Sequence, residues 1–161
     1  MSVTAKGQFM SSYLKLEGLE GGVTDANYAG WSEVSSVSYG IVNHGADRAN
    51  KQKQRTMRFH PIGVVRSSSD HLTPQLLKLV GEASVIPSVI IETPSGDATR
   101  RLLRRITVTN ATIRELHPLD SDTSSESLEF EGELIKYEFA HSVSGVISTV
   151  TWNNVKQCFE E

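Results

Sequence analysis

The sequence predicts a mainly β protein, an antiparallel β-barrel or two-sheet sandwich with one short α-helix on its side. Three observations predict it. Most periodic segments alternate apolar and polar residues with period two, only one segment carries helix start and stop signals, and turn-forming Gly, Asn, Asp and Pro separate the segments. A parallel α/β fold is excluded because the crossover helices it needs are missing. At 161 residues the chain is expected to form a single domain over residues 1–161.

Met10, Leu14 and Leu16 share one parity, with Ser11, Tyr13, Lys15 and Glu17 on the other, which makes a first strand. GLEGGVTDANYAGW follows as an irregular loop, since glycine and Asn/Asp supply the positive φ angles of turns. In the second strand Trp31, Val37, Tyr39 and Ile41 share a bulky phase, expected to face the core. Val34, Ser36, Ser38 and Gly40 share the small phase, expected to face outward. Asn43 to Thr56 has almost nothing to bury and reads as a long exposed loop.

Met57 to Val65 resumes as a strand, and SSSDHL leads into TPQLLKLVG, the helix. Thr73 is expected to cap it, Pro74 to open it and Gly81 to end it, with Leu76, Leu77 and Val80 as the apolar stripe. Val85 to Thr93 is a strand, PSGD a hairpin turn, and Arg100 to Glu115 the returning strand. Four arginines around Leu102 and Leu103 blur the alternation there and leave a helical turn open. HPLDSDTSSES reads as a polar loop. LEFEGELIKYEFA is a long strand whose apolar phase switches, from Leu128, Phe130 and Leu134 to Ile135, Tyr137 and Phe139. A β-bulge or a change of environment along the strand produces such a switch. Val143 to Trp152 closes the fold.

No window approaches the run of about 18 apolar residues of a membrane helix, so a soluble chain without membrane insertion is expected. The N-terminus MSVTAKGQFMSS has no apolar run, so no signal peptide is expected and the chain should begin in the cytoplasm. A single cysteine, Cys158, cannot form an internal disulfide and reads as a bystander. His44, His60, His71, His117 and His141 show no HxH or HxxxH spacing, so no metal is expected. Ser67, Asp70 and His71 are close in sequence, but triads are assembled from distant segments, and no GxSxG turn is present. They fit a polar lead-in to the helix better than a hydrolase site. EGLEGG lacks the P-loop pattern. No catalytic residues and no cofactor are expected, and the chain should not be an enzyme.

The net charge of −3 argues against a dedicated nucleic-acid binder, and only Phe59 lies near enough to the basic run to stack a base. The distribution of charge is more informative. Arg48, Lys51, Lys53, Arg55, Arg58 and Arg66 fall in one stretch without an acid, whereas Glu115 to Glu138 holds eight acids against Lys136. Complementary surfaces on one molecule make heterologous contacts, which close into rings or propagate as filaments.

YLKLEGLEGGVTDANYAGWSEVSSVSYG resembles the haemolysin-coregulated protein family of type VI secretion: its lysine-flanked opening strand, Glu-Gly turn, Gly-Trp pair and serine between aromatics. LTPQLLKLVG is similar to the family helix, and SLEFEGELIKYEF to its late strand. The resemblance runs from about Phe9 to Asn153. It implies a barrel subunit that forms six-membered rings, which stack into a hollow inner tube driven by a contractile sheath. The implied partners are further copies of the chain, the sheath, spike and baseplate proteins, and effectors carried in the lumen, with export through the same apparatus. A tube protein of a phage or phage-like tail shares this fold logic and is the alternative. In family terms the loop after the second strand mediates stacking; here it carries Arg48, Lys51, Lys53 and Arg55 in place of a glycine-rich run. Ser38 matches the family's lumen serine, and Ser36 shares its face.

Overall fold

The computed structural model describes residues 11–43, 57–119 and 124–160. The loop expected to mediate stacking therefore lies, with Arg48, Lys51, Lys53 and Arg55, outside the described residues. The strands are β1 (Ser12–Leu16), β2 (Ser32–Ser38), β3 (Ile41–Asn43), β4 (Met57–Phe59), β5 (Ile62–Arg66), β6 (Ile86–Pro94), β7 (Leu102–Pro118), β8 (Glu126–Glu131), β9 (Leu134–Ala140), β10 (Ile147–Asn153) and β11 (Cys158–Glu160). The helix α1 (Thr73–Gly81) stands between β5 and β6.

The strands order as β11-β10-β9-β7-β6-β1-β2-β5-β8, and β8 also pairs with β7. That second pairing closes β7, β6, β1, β2, β5 and β8 into a six-strand antiparallel barrel, which removes the open edges of those strands. β9, β10 and β11 continue the sheet outside it, and β3 pairs with β4 as a separate two-stranded ribbon. The barrel interior is filled by inward residues of all six strands, among them Leu14, Val34, Val64, Ile91, Val108 and Phe130, each nearly or fully buried. Alternation along each strand places them there.

The arginine-rich segment forms no helical turn: Arg100, at φ 47°, and Arg101 lead out of the preceding turn, and the strand begins at Leu102. At 17 residues β7 pairs with β6 along one edge and serves two strands along the other: Arg104–Thr109 pairs with β9 and Thr112–Pro118 with β8. β8 and β9 are thus one long segment running antiparallel to β7, broken at Gly132 and Glu133. The break is where the apolar phase switches, from Leu128 and Phe130 to Ile135 and Tyr137. A Cβ at residue 132 would collide with the Val108 side chain and approach the Thr109 carbonyl oxygen to 2.8 Å, so the crossing needs glycine.

The single phase expected for Val34, Ser36 and Ser38 does not hold. The β2–β5 register shifts between Val34 and Ser36, and the extra residue reverses the parity. Val34 is therefore in the core, while Val37 turns inward against it after the bulge. Tyr39 and Ile41, expected in the core, leave the barrel with the end of the strand and are 41% and 47% exposed. The helix spans the expected residues, but Leu72 occupies the cap position with no side-chain cap, Leu77 is exposed, and Gly81 lies within the last turn. Leu72 and Leu76 are buried, with Leu79 and Val80 packed against the core.

The glycine-rich loop is fastened by backbone bonds from Gly21 N–H to the Gly30 carbonyl (2.7 Å) and from Val23 N–H to the Trp31 carbonyl (3.0 Å). It lays Tyr28 flat on Tyr13, with ring centroids 4.1 Å apart and planes at 9°. The polar-phase Tyr13 is buried for this reason.

Candidate functional site

The outward side of β2, β5, β8 and the second half of β7 is a continuous sheet face. Directly opposed residues share a face, so the register aligns Ser38, Gly63, Glu129 and Glu115 in one row and Ser36, Val65, Ser127 and His117 in the next. Ser36 and Ser38 are both exposed, and the Ser38 hydroxyl lies over Gly63, filling the space a side chain there would take. The result is a shallow face of small side chains at one edge and carboxylates at the other. Arg114 donates to Glu131 at 3.0 Å beside it.

Where β5 ends, the chain meets the start of β8 and the lead-in to α1. Arg66 and Glu126 form a fully buried ion pair, and Arg66 also donates to Asp70 at 2.7 Å. Ser69 and Thr73 donate to Glu126 at 3.0 and 3.2 Å. This is why Thr73 is no cap: its hydroxyl serves the buried carboxylate, and the Leu72 N–H is taken by Asp70 at 2.9 Å. Burial pushes the Asp70 carboxyl up, but the bonds from Arg66 and Leu72 outweigh it and hold it below the usual carboxylate range.

A polar cleft of about 610 Å³ lies between this lead-in and the glycine-rich loop, lined by Asp25, Ser32, Ser67, Asp70 and His71 among others. It does not assemble a triad. Asp70 is committed to Arg66 and the Leu72 N–H, and the His71 Nε2 faces the Glu20 carbonyl at 2.9 Å, which ties the glycine-rich loop to the helix lead-in. An unengaged base beside a nucleophile is what such chemistry needs. Among the described residues no three His, Cys, Asp or Glu side chains converge as a metal site.

The second basic cluster is spent inside the subunit. Arg100 pairs with Asp25 at 2.6 Å and reaches the Tyr13 hydroxyl, Arg105 pairs with Glu92 at 2.9 Å, and Arg104 donates to Thr93 at 2.8 Å. Tyr28 donates to Glu92 at 3.2 Å; burial first, then the Glu92 charge, pushes its phenol up to about 12. These arginines hold loops to strands and offer no stripe of free positive charge.

Sequence reasoning missed one feature. The inner face of β9, β10 and β11 and the β3–β4 ribbon enclose an apolar groove of about 450 Å³, lined by Tyr39, Ile41, Phe59, Phe139, Val150 and Phe159 with Tyr137. Its floor is Phe59 stacked on Trp152 with centroids 4.6 Å apart, and Arg104 lies 5.6 Å over the Tyr39 ring. The signal was present as period-two spacing of Tyr137 and Phe139 and of Val150 and Trp152. It reads as ordinary core until the strands are seen to run outside the barrel.

The family model described as "Type VI secretion system effector, Hcp" matches residues 13–139. The fold is similar to that of Hcp1 from Salmonella typhimurium, at 19% identity and a TM-score of 0.79 over 95% of this chain and 100% of that one. It is also similar to a type VI secretion system effector from Yersinia pestis (17% identity, TM-score 0.71, 88% and 98%). A third similar structure is the secreted protein Hcp3 from Pseudomonas aeruginosa (15%, 0.63, 90% and 99%). No curated protein matches the chain significantly.

Proposed function

Because the chain belongs to the Hcp family of type VI secretion, we propose that it is the building block of the secretion tube: six copies close into a ring and rings stack into a hollow conduit. In this reading the whole chain, residues 1–161, is one subunit, and it performs no turnover. It is made in the cytoplasm and leaves through its own apparatus, with sheath, spike and baseplate proteins as neighbours and effectors as cargo.

The observation that carries the reading is the small-residue face of β2 and β5. A barrel closed on itself leaves that face without a structural partner, and Ser36, Ser38 and Gly63 keep it smooth, the Ser38 hydroxyl lying over Gly63. Turned toward the axis of a ring, it becomes the lumen wall, with Ser36 and Ser38 in contact with cargo. Arg48, Lys51, Lys53 and Arg55 then belong to the loop that reaches the next ring, where Glu115 and Glu129 offer the opposite charge. With Asp70 held by Arg66 and the Leu72 N–H and His71 held against the Glu20 carbonyl, the Ser67–His71 cleft favours a structural role over a hydrolytic one.

Negative-stain electron microscopy of the purified chain tests the proposal. Annular particles with an open centre are expected; a field of compact single subunits at high protein concentration would overturn it.

A further inference from the structure

The polar cleft between the glycine-rich loop and the helix lead-in holds one donor that the subunit does not satisfy. Arg66 is 1% exposed, and among the described residues its Nε–H has no hydrogen-bond partner. Nη1 is taken by Glu126, whereas Nη2 donates to Asp70 at 2.7 Å and to the Ser32 hydroxyl at 3.4 Å. A guanidinium is planar, and its Nε–H shares an edge with one N–H of Nη2. Asp70 and Ser32 both line the cleft, so the edge that carries the unmatched Nε–H faces into it. A buried donor left unmatched is costly, and here its acceptor has to enter through the cleft.

Around that donor the charge is negative. Glu126 neutralises Arg66 and Arg100 neutralises Asp25, which leaves the charges of Asp70 and Glu33 in excess on the cleft wall. Arg66 and the Leu72 N–H both use Asp70 Oδ1, and Ser11 uses Glu33 Oε1, so the second oxygen of each carboxylate is open. Asp70 Oδ2 is turned toward Gly22, 3.5 Å from where a Cβ there would stand, and the glycine keeps that side clear.

We propose that the cleft binds a lysine-bearing segment of a partner protein, with a backbone carbonyl on the Arg66 Nε–H and the ammonium held by Asp70 and Glu33. The volume of about 610 Å³ is that of a small-ligand pocket, about 300–1,000 Å³, and the polar lining selects a hydrophilic occupant. An ammonium brings three donors and no acceptor, which suits two open carboxylate oxygens. The excess negative charge turns away phosphates, free carboxylates and nucleic acid. The inference goes beyond the tube reading and does not depend on it.

The test is saturation-transfer NMR at low salt on the full chain in whatever assembly it forms, with acetyl-Gly-Lys-Gly-amide as the probe and acetyl-Gly-Gln-Gly-amide as its neutral counterpart. The lysine peptide should take up saturation and the glutamine peptide should not. Glu33→Gln should weaken binding about two- to fivefold, the weight of one exposed charge pair. Ser68→Lys, which places the chain's own ammonium on the exposed wall of the cleft, should weaken it at least about tenfold. Thermal unfolding is the fold control, and if Ser68→Lys fails it, Glu33→Gln decides. Equal binding of the two peptides would overturn the charge selection. No transfer to either, up to about 10 mM, would mean that the cleft takes water alone, and folded variants that bind like the parent would place the peptide elsewhere; both overturn the proposal. A chain with Arg48, Lys51, Lys53 and Arg55 all replaced by Gln is the last arm. If it binds the peptide more tightly than the parent does, the occupant is the protein's own cationic loop and the assignment to a partner is wrong.

Discussion

Arg66 and Glu126 face each other in the barrel wall as an ion pair whose two side chains are both 2% exposed. Their strands pair directly, with Arg66 opposite Glu126 at the end of the β5–β8 ladder. The pair joins the barrel's closing strand to the helix lead-in through Asp70, Ser69 and Thr73.

Removing one charge from this pair leaves the other buried and only partly compensated, at a cost of about 3–5 kcal/mol. Asp70 remains as a partner for Arg66, so Glu126→Gln should fall near the lower end, about 3 kcal/mol. Urea denaturation checks it, with an unchanged slope and a lower midpoint as the expected outcome. A change under about 0.5 kcal/mol, the range of ordinary surface substitutions, would mean that the pair is solvated.

Gly132 is where β8 hands its pairing with β7 over to β9. Gly132→Val should destabilise the subunit by about 1–3 kcal/mol, because the obstacles are a buried valine and a backbone carbonyl, neither of which can swing aside. Calorimetry should show a lower melting temperature. A neutral outcome would mean that the crossing has more room than the Val108 contact implies.

Tyr28 and Tyr137 both have phenols pushed up to about 12, Tyr28 by burial and then Glu92, Tyr137 by burial and then Tyr39. A folded-state value raised above the unfolded one near 10 stabilises the fold fully below pH 10, and that stabilisation is lost as pH rises toward 12. Stability should therefore decline from about pH 10 upward. Phenolate absorbance should show these two of the four tyrosines ionising late. Four tyrosines titrating together near 10 in the folded protein would contradict the packing described.

Reversing the charge of Arg48, Lys51, Lys53 and Arg55 together should leave single rings intact and abolish their stacking. In the parent, stacking should weaken as salt rises, since exposed charges are screened beyond about 10 Å at 0.1 M. Sedimentation at low and high salt reads both effects. Stacking that survives the fourfold reversal at low salt removes the loop from the account.

Much of the barrel was legible because burial imposes period two, and the late phase switch showed that LEFEGELIKYEFA changes environment, though it read as one strand and the break falls at Gly132 and Glu133. The limits of the sequence were local. The bulge after Val34 sits in a run of serines, where a parity reversal leaves no apolar trace, so Val34 read as outward and Tyr39 as core. Leu77 and Leu79 look alike in a nine-residue helix, and only the neighbouring strands decide which one is covered. The arginines around Leu102 blurred the strand's alternation because their partners, Asp25, Thr93 and Glu92, are brought in by other segments. The aromatic groove was invisible for the converse reason. Aromatic alternation on β9 and β10 looks the same whether or not a second layer covers it.

The central claim is the closed six-membered ring, and native mass spectrometry of the purified chain tests it most directly. A dominant species of six times the 17.7 kDa subunit mass, with multiples of that unit as rings stack, is the predicted result. A spectrum of monomers alone, or a ladder of all sizes with no preference for six, would contradict it.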